Sequence, residues 1–337
     1  MTINKTLRLA VPSLALATTA GLLGAAVLPD RQAPRAMNIL LMGTDTRDTT
    51  TAEEQREFYA GGVACDCTDS LMLVHVSADR DRVSVVSLPR DSLAEIPSHR
   101  DADGREYPAH PAKINAAYAE GGPRLAVDTV ESMTGVEVDS YLQVDFRRFI
   151  DSVEQVGGVE VCTARTLRDP ATKLDLSPGT HRLGGGQSLQ YVRARKTDGS
   201  ADLGRIQRQH RFLVAALRGL QGRGLLADPA RMKPLARTLM GQVEQGLDAG
   251  GLLELAAALQ KVPPSATEFA TVPVAGFNPE IPKVGSTLAW DRTKSAEMFT
   301  KLREDRPLLE AGENPLPKDP PGFDPAPPVR GSALACD

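Results

Sequence analysis

Apolar residues along this chain gather in short runs separated by polar turns, and these runs alternate with longer stretches at helical spacing. That alternation predicts an α/β fold. Residues 38–42 (NILLM) form an apolar run ending at Gly43 and read as a strand. Two further runs, 71–76 and 83–88, flank the polar turn 79–81 and predict a hairpin. Helical spacing marks 114–120 and 125–133, the second closed by Gly135. A strand at 141–144, a helix at 146–156 and a strand at 159–161, entered through Gly157 and Gly158, follow in order. Helical stretches run on to Lys261, then strands at 269–274 and 287–290, then a helix at 294–303. Hairpins combined with crossovers predict a three-layer α/β/α sandwich with a mixed central sheet.

The two ends read differently. Lys5 and Arg8 precede an apolar run, 9–28, that carries no charge and suits one membrane-spanning helix. Positive charge ahead of it predicts a short cytoplasmic head (1–8), a signal anchor (9–28), a linker (29–36) and a body outside the cell membrane. A cleaved signal peptide is the competing reading. The body is expected over 37–307, and the Pro-rich remainder, 308–337, lacks apolar periodicity and reads as a disordered tail. A net charge of -4 over 337 residues argues against a nucleic-acid binder. Four cysteines outside the membrane are expected in disulfides. A zinc site of Cys65 and Cys67 with His75, His99 or His110 lacks any standard ligand spacing.

Chemistry concentrates in 191–209 (YVRARKTDGSADLGRIQRQ), where Arg193, Arg195, Arg205 and Arg208 lie close together. Arg193 and Arg195, two apart in a segment read as extended, would point the same way. A helix follows, with Asp202 as its expected N-cap and Ile206, Leu213, Ala216, Leu217 and Leu220 on one face. Gln209 falls within that face, where an unpaired amide costs about 1–3 kcal/mol, so it needs a partner or a cavity. Two readings compete: guanidinium forks at a helix N-terminus gathering an anion, or a solvated basic loop with a satisfied glutamine. Other motifs sit at strand ends, where α/β proteins place their sites. These are GTDTR from Gly43, Thr68-Asp69-Ser70, the SLPRD closing the third strand, and KINAAY from Lys113. Two aspartates at neighbouring strand ends suit a shared Mg²⁺. Carboxylates, a lysine and arginines together suit a phosphate ester or pyrophosphate.

The ordered set GTDTR, TDSLMLVHVS, VVSLPRDS, KINAAYAEGG, VDSYLQVDF, VGGVEV, YVRAR and DLGRIQRQ resembles the LytR-CpsA-Psr family. The motifs run from about Met37 to Leu220. The resemblance implies an anchored phosphotransferase of cell-wall assembly, which takes a glycopolymer from a polyprenyl-pyrophosphate carrier and joins it to peptidoglycan through a phosphodiester. It implies that Asp45 and Asp69 hold Mg²⁺, with Mn²⁺ as the alternate ion. It further implies that Arg90, Arg193, Arg195, Arg205 and Gln209 contact the pyrophosphate, with Lys113 at the edge and Asp202 beside the arginines. The lipid tail would lie between sheet and helices. One position departs from the family pattern: Cys67 stands where an arginine is expected two residues before Asp69. Either another cation such as Arg47 compensates, or activity or substrate is altered. A pyrophosphatase, a non-catalytic polyprenyl-phosphate-binding protein and, least supported, a transcriptional regulator are the alternatives. A thiol pair beside a site outside the membrane is prone to oxidation, so Cys65 or Cys67 is expected in a disulfide, with Cys162 as partner.

Overall fold

The structure, a computed structural model, describes residues 35–46, 50–61, 66–101, 103–197, 199–240, 249–317 and 327–336. These belong to the second of two units, 1–33 and 34–337. The expected anchor at 9–28, Arg47 and Cys65 lie outside the described residues. Among the described residues no helix is long and apolar enough to cross a membrane.

Six strands form the central sheet: β1 (Met37–Thr44), β2 (Thr68–Val76), β3 (Val83–Ser87), β4 (Ser140–Val144), β5 (Thr267–Thr271) and β6 (Val329–Arg330). Their order is β6-β5-β3-β2-β1-β4. The β1/β2, β2/β3 and β5/β6 pairs are antiparallel while β1/β4 and β3/β5 are parallel, so the sheet is mixed as expected. Strand alternation sends successive side chains to opposite faces. Leu40, Met42, Leu71, Leu73, Val86 and Ala270 pack on one face with the helices α2 (Ala116–Thr134) and α8 (Arg292–Arg303). Met72, Val76, Val85 and Phe269 face the other way, toward α5 (Ala201–Gly222) and α7 (Ala249–Lys261). Ile39 meets α6 (Pro229–Met240) on that same side. Each strand of the β1–β2–β3 meander is therefore buried on both faces, which explains why its sequence is apolar almost throughout.

The two expected helices before Gly135 form the single element α2, interrupted where they were expected to separate. Gly121 and Gly122 are non-helical, and Gly122 takes φ 69°, a region that favours glycine. The strand expected at 269–274 is two elements: β5 ends at Thr271, and Val274–Phe277 turns away to pair with Leu288–Trp290.

The disordered tail is overturned by its described parts. Leu308 and Leu309 are buried, β6 extends the sheet, and a short helix (Gly331–Leu334) follows. The organising group is Glu268 on β5, fully buried, whose carboxylate accepts from the Leu308 and Leu309 backbone N–H groups (2.9 and 3.2 Å) and from Ser84 (2.7 Å). A buried carboxylate needs such donors, and here a distant strand supplies the ordering that local composition does not announce. Cys162 pairs with Cys336, not with Cys65 or Cys67, and this bridge too ties the C-terminal segment to the body. Cys67 is disulfide-bonded as expected.

Candidate active site

The site lies at one end of the sheet, where β1 and β3 finish and β2 begins. In the β1/β2 ladder Gly43 pairs with Ser70 and Thr44 with Thr68, so Asp69 is the extra residue of a bulge. Bulges re-aim side chains. Asp45 follows β1 directly and is buried. Arg90 and Asp91 leave β3 in a tight loop closed by Ser92 Oγ–H donating to the Pro89 carbonyl (2.6 Å). The Leu288 N–H to Asp91 carbonyl (2.8 Å) and Asn115 N–H to Arg90 carbonyl (3.4 Å) bonds pin it from both sides.

The arginine-rich segment arrives from the opposite direction. Helix α4 (Gly185–Arg193) ends at Arg193, and the chain then crosses 194–197 before α5. Two groups grip that crossing. Asp169 accepts the backbone N–H groups of Arg195 (2.6 Å) and Lys196 (2.9 Å), while Arg208 donates to Thr197 Oγ1 (2.7 Å) and to the Ala194 carbonyl. Arg208, expected in the anion cluster, thus holds backbone instead. Burial acts to raise the Asp169 carboxyl, but bonds from Lys196, Arg195, Ala171 and Thr172 N–H outweigh it and keep it below the ordinary range. Helix α5 is docked to the sheet by His210, whose Nε2 meets Ser87 Oγ at 2.8 Å and which burial pushes down to about 3, so it stays neutral.

Three guanidiniums converge on one carboxylate oxygen. Arg90 Nη1 lies 2.5 Å from Asp69 Oδ1, Arg195 Nη2 3.4 Å and Arg205 Nη1 3.6 Å. Asp202 braces the pair behind it, 2.8 Å from Arg205 Nη2 and 3.4 Å from Arg195 Nε. Asp202 is not the N-cap: Ser200 occupies that position, and Asp202 sits in the first turn, where the helix dipole favours negative charge. Lys113 reaches the group indirectly, donating to Asp91 Oδ1 (2.8 Å), with Asp91 Oδ2 3.7 Å from Arg90 Nε. Gln209 finds protein partners on both sides, donating to the Val192 carbonyl (3.2 Å) and accepting from Ser70 Oγ (3.3 Å). The satisfied-glutamine reading therefore holds for that residue. Arg193, helical rather than extended, lays its guanidinium 4.6 Å over the Phe146 ring and donates to the Tyr59 carbonyl (3.2 Å), so it does not share a direction with Arg195 through strand alternation.

Crowding leaves donors unspent. Arg205 is only 3 % exposed, and its Nε and that of Arg90 are buried without a hydrogen-bond partner. Burial pulls the Arg205 guanidinium down to about 10, with Arg195 and Arg90 adding to the fall and Asp202 and Asp69 opposing it; it remains charged at neutral pH. Buried N–H groups of that kind carry a penalty until an acceptor arrives, and planar guanidiniums match phosphate oxygens. The donor set for a cation is also here. Asp45 and Asp69 offer carboxylates at adjacent strand ends, and the Thr44 and Thr68 hydroxyls, paired across the ladder, are buried with no partner. Arg90 and Arg195 both donate to Oδ1 of Asp69, which leaves Oδ2 for a cation. Hard oxygens from two carboxylates fit Mg²⁺. Among the described residues no three His, Cys, Asp or Glu side chains gather as a metal group, and Cys65 of the zinc reading lies outside those residues.

Cys67, the departure from the family pattern, is buried and holds backbone and loop together. Its sulfur lies 3.6 Å from Asn115 Nδ2 and its carbonyl accepts from Asp45 N–H at 3.5 Å. It supplies order where the family places charge. Asp91, Asn115 and Asp169 are the site-shaping residues that spacing alone did not single out; Asp91 was legible only as part of the SLPRD loop, and Asp169 carried no signal.

Burial acts to raise the Asp69 carboxyl, yet Arg205, Arg90 and Arg195 together outweigh it and hold it below the usual carboxylate range. A depressed folded value means that its stabilising contribution is present above the ordinary value of about 3.9 and is lost as pH falls through the depressed one. Wild type should therefore melt above Asp69→Asn by a constant margin from about pH 5 upward, with the margin shrinking below about pH 4. Melting curves at closely spaced pH values check this; an unchanged margin at about pH 2 would remove the ion pairs from the account.

The chain matches the LytR_cpsA_psr family over residues 20–304. It is 32% identical over 269 residues to a probable cell wall biosynthesis protein, LcpB, of Corynebacterium glutamicum, covering 79% of this chain and 61% of that one. It is also 32% identical over 188 residues to a polyisoprenyl-teichoic acid–peptidoglycan teichoic acid transferase, TagU, of Oceanobacillus iheyensis, covering 54% of this chain and 51% of that one. The chain thus spans between half and two thirds of these relatives' length. Among solved structures, TagT bound to LIIa-WTA superposes with a TM-score of 0.58 at 25% identity, covering 81% of this chain and 91% of that one. A match over most of the chain, on the same motifs that build the Asp69 cluster, assigns the protein: it belongs to the LytR_cpsA_psr family.

Proposed function

We propose that this protein is a membrane-anchored, extracytoplasmic phosphotransferase that moves a glycopolymer from a polyprenyl-pyrophosphate carrier onto peptidoglycan through a phosphodiester. The observation that carries the reading is the convergence of Arg90, Arg195 and Arg205 on Asp69, with buried guanidinium N–H groups left over. The transferase named above for Oceanobacillus iheyensis supports the reaction class. The apolar run 9–28 supports the anchor, and the Cys162–Cys336 bridge supports an oxidising compartment.

In this reading a sugar hydroxyl of the acceptor attacks the phosphorus that carries the polymer. A new P–O bond forms to the acceptor, the P–O bond to polyprenyl phosphate breaks, and the hydroxyl proton passes to solvent. Arg90, Arg195 and Arg205 bind the pyrophosphate oxygens and stabilise the charge that grows on the leaving phosphate. Asp202 holds two of those guanidiniums in place, and Lys113 holds Asp91 against Arg90. Asp45 and Asp69 would hold Mg²⁺, which when bound supplies further neutralisation of the pyrophosphate.

Turnover of a synthetic polyprenyl-pyrophosphate saccharide tests the proposal. Transfer should require peptidoglycan; release of polyprenyl phosphate in its absence at the same rate would instead indicate a pyrophosphatase, and retention of the lipid without turnover a carrier-binding protein. Transfer should also stop in excess chelator, return with Mg²⁺ or Mn²⁺, and fall about a hundredfold or more in Asp45→Ala. Full activity in chelator would take the aspartates out of the metal role.

A further inference from the structure

The chain leaves the site at Asp91 and returns to it at Lys113, and the excursion between is a two-tier ribbon. Leu93–Ile96 pairs with His110–Lys113, and farther out His99–Arg100 pairs with Glu106–Tyr107. Its base is tied to the site. Lys113 Nζ donates to Asp91 Oδ1 (2.8 Å), Ile114 N–H to the Ser92 carbonyl (2.9 Å) and Asn115 N–H to the Arg90 carbonyl (3.4 Å). Its middle meets α2 through three titratable side chains that the reaction above does not use: His99, His110 and Glu120. Glu120 lies just ahead of the break at Gly121 and Gly122.

The two histidines share one local frame. Each ends a Pro-x-His triplet, 97–99 and 108–110. Each turns its Nδ1 back to the proline carbonyl, at 2.9 Å for His99 and 3.1 Å for His110. A carbonyl only accepts, so Nδ1 carries a hydrogen in both rings, and a neutral ring then has only a lone pair at Nε2. Both Nε2 atoms approach a single oxygen: Glu120 Oε2 lies 3.1 Å from His110 and 3.7 Å from His99. With neutral imidazoles and an ionised carboxylate, three acceptors face one another. Accordingly His99 Nε2 and Glu120 Oε2 are buried without a hydrogen-bond partner. The His99 ring is held there, with its side chain 7 % exposed and its face stacked on Tyr107 at 5.3 Å between centroids. The three side chains do not make a metal group. A proton at Nε2 resolves the conflict, because it turns opposed lone pairs into a charge-assisted N–H···O bond.

We propose that His99, His110 and Glu120 form a proton-operated clamp on the ribbon. Protonated, it binds the ribbon to α2 and holds Lys113 and Asp91 against Arg90; deprotonated, it releases the ribbon and weakens pyrophosphate binding. The clamp itself rests on the geometry, whereas its effect on turnover rests on the transferase reading. All three are positioning residues, acting on Arg90 through Lys113 and Asp91. The bond to the Pro108 carbonyl, then Glu120 and then Glu95 on the paired strand, outweigh burial and lift His110 above its ordinary value. Elsewhere charges are spent on each other: Arg100 pairs with Glu106, Arg105 lies beside Asp101 and the Tyr107 hydroxyl, and Arg124 on α2 pairs with Asp128. A raised folded value means that the stabilisation is fully present below the ordinary value of about 6.5 and is lost as pH rises through the folded one.

Hydrogen exchange of the full-length protein in detergent micelles with excess chelator, corrected for the intrinsic pH dependence of exchange, tests the clamp. Between about pH 6 and about pH 8.5, wild-type protection over 92–113 should fall at least about fivefold, while β1, β2 and β3 keep theirs. Glu120→Ala should give low protection at both ends of that range. Glu120→Gln should give high protection at both, because its amide N–H donates to an Nε2 lone pair without needing a proton. A purely structural glutamate would not separate the two variants in this way, and Glu120→Gln carries the test if Glu120→Ala does not fold. With Mg²⁺ in place of chelator, KM for a lipid-pyrophosphate saccharide should rise at least about threefold over the same range in wild type and stay constant in Glu120→Gln. A ribbon insensitive to pH in wild type, or Glu120→Gln following the wild-type pH dependence, overturns the proposal. The expected protection pattern with a KM that does not change overturns the positioning role. The same pattern in a protein that performs no transfer supports the clamp and overturns the transferase reading alone.

Discussion

Arg205→Lys should fold with a melting temperature close to wild type and transfer at least about a hundredfold more slowly. The arginine uses its fork in two directions, Nη2 to Asp202 at 2.8 Å and Nη1 toward Asp69 at 3.6 Å, and keeps a buried Nε–H in reserve. An ammonium is a single point and cannot span both carboxylates while presenting another donor to phosphate. Charge is the second difference. Burial takes the arginine down to about 10, and the same burial would push a lysine, whose ordinary value of about 10.4 is already lower than that of arginine, down as well. The residual rate of Arg205→Lys should therefore fall further as pH rises from about 7 to 9, whereas the wild-type rate should show no such loss from this residue. A rate within threefold of wild type, or a flat profile over that range, would show that Arg205 braces Asp202 and nothing more.

Removing the Cys162–Cys336 bridge should produce the second large effect, on stability. The two cysteines are 174 residues apart in sequence, and on the chain-entropy account closing a loop of that size is worth roughly 5 kcal/mol, with about 2–5 usual for native bridges. Cys162→Ser, Cys336→Ser and the double variant should all melt roughly 10 °C below wild type, and by the same amount, because each breaks the same single bond. The contacts of Asp69, Arg90 and Arg195 do not involve this bridge, so transfer at 25 °C should persist in all three variants. A fall of less than about 2 °C would show that β6 and the Glu268 contacts hold the C-terminal segment by themselves.

The candidate site was legible where its determinants are local. The apolar runs of β1, β2 and β3 are continuous because both faces of those strands are covered, and a hairpin of short connection fixes which ends are adjacent. Asp45 and Asp69 could thus be brought together on paper. Arg195 and Arg205 could be drawn to the same place because one short crossing joins them to a helix start. The break in α2 was equally visible, since Gly121, Gly122 and Pro123 disfavour a helix on any background.

Elsewhere the outcome depended on partners far away in the chain. Arg208 belongs by spacing to the anion cluster, and Arg193 to the same extended face as Arg195. Tertiary packing gave Arg208 the backbone of 194–197 and Arg193 the ring of Phe146. Gln209 needed a partner on any reading, but only the fold could name Ser70 and the Val192 carbonyl. The Pro-rich segment has no periodicity to read, and its order comes from Glu268 and from Cys162, groups 40 and 174 residues from their partners. Four cysteines suggest disulfides without specifying which of them pair. By itself, then, the sequence determined the strands, the helices and the chemical character of the site, because propensity and periodicity act over a few residues. Which arginines face the anion, which hold backbone, and which cysteines meet were decided by the tertiary structure, because hydrogen bonds and bridges between distant segments depend on geometry that no local pattern encodes.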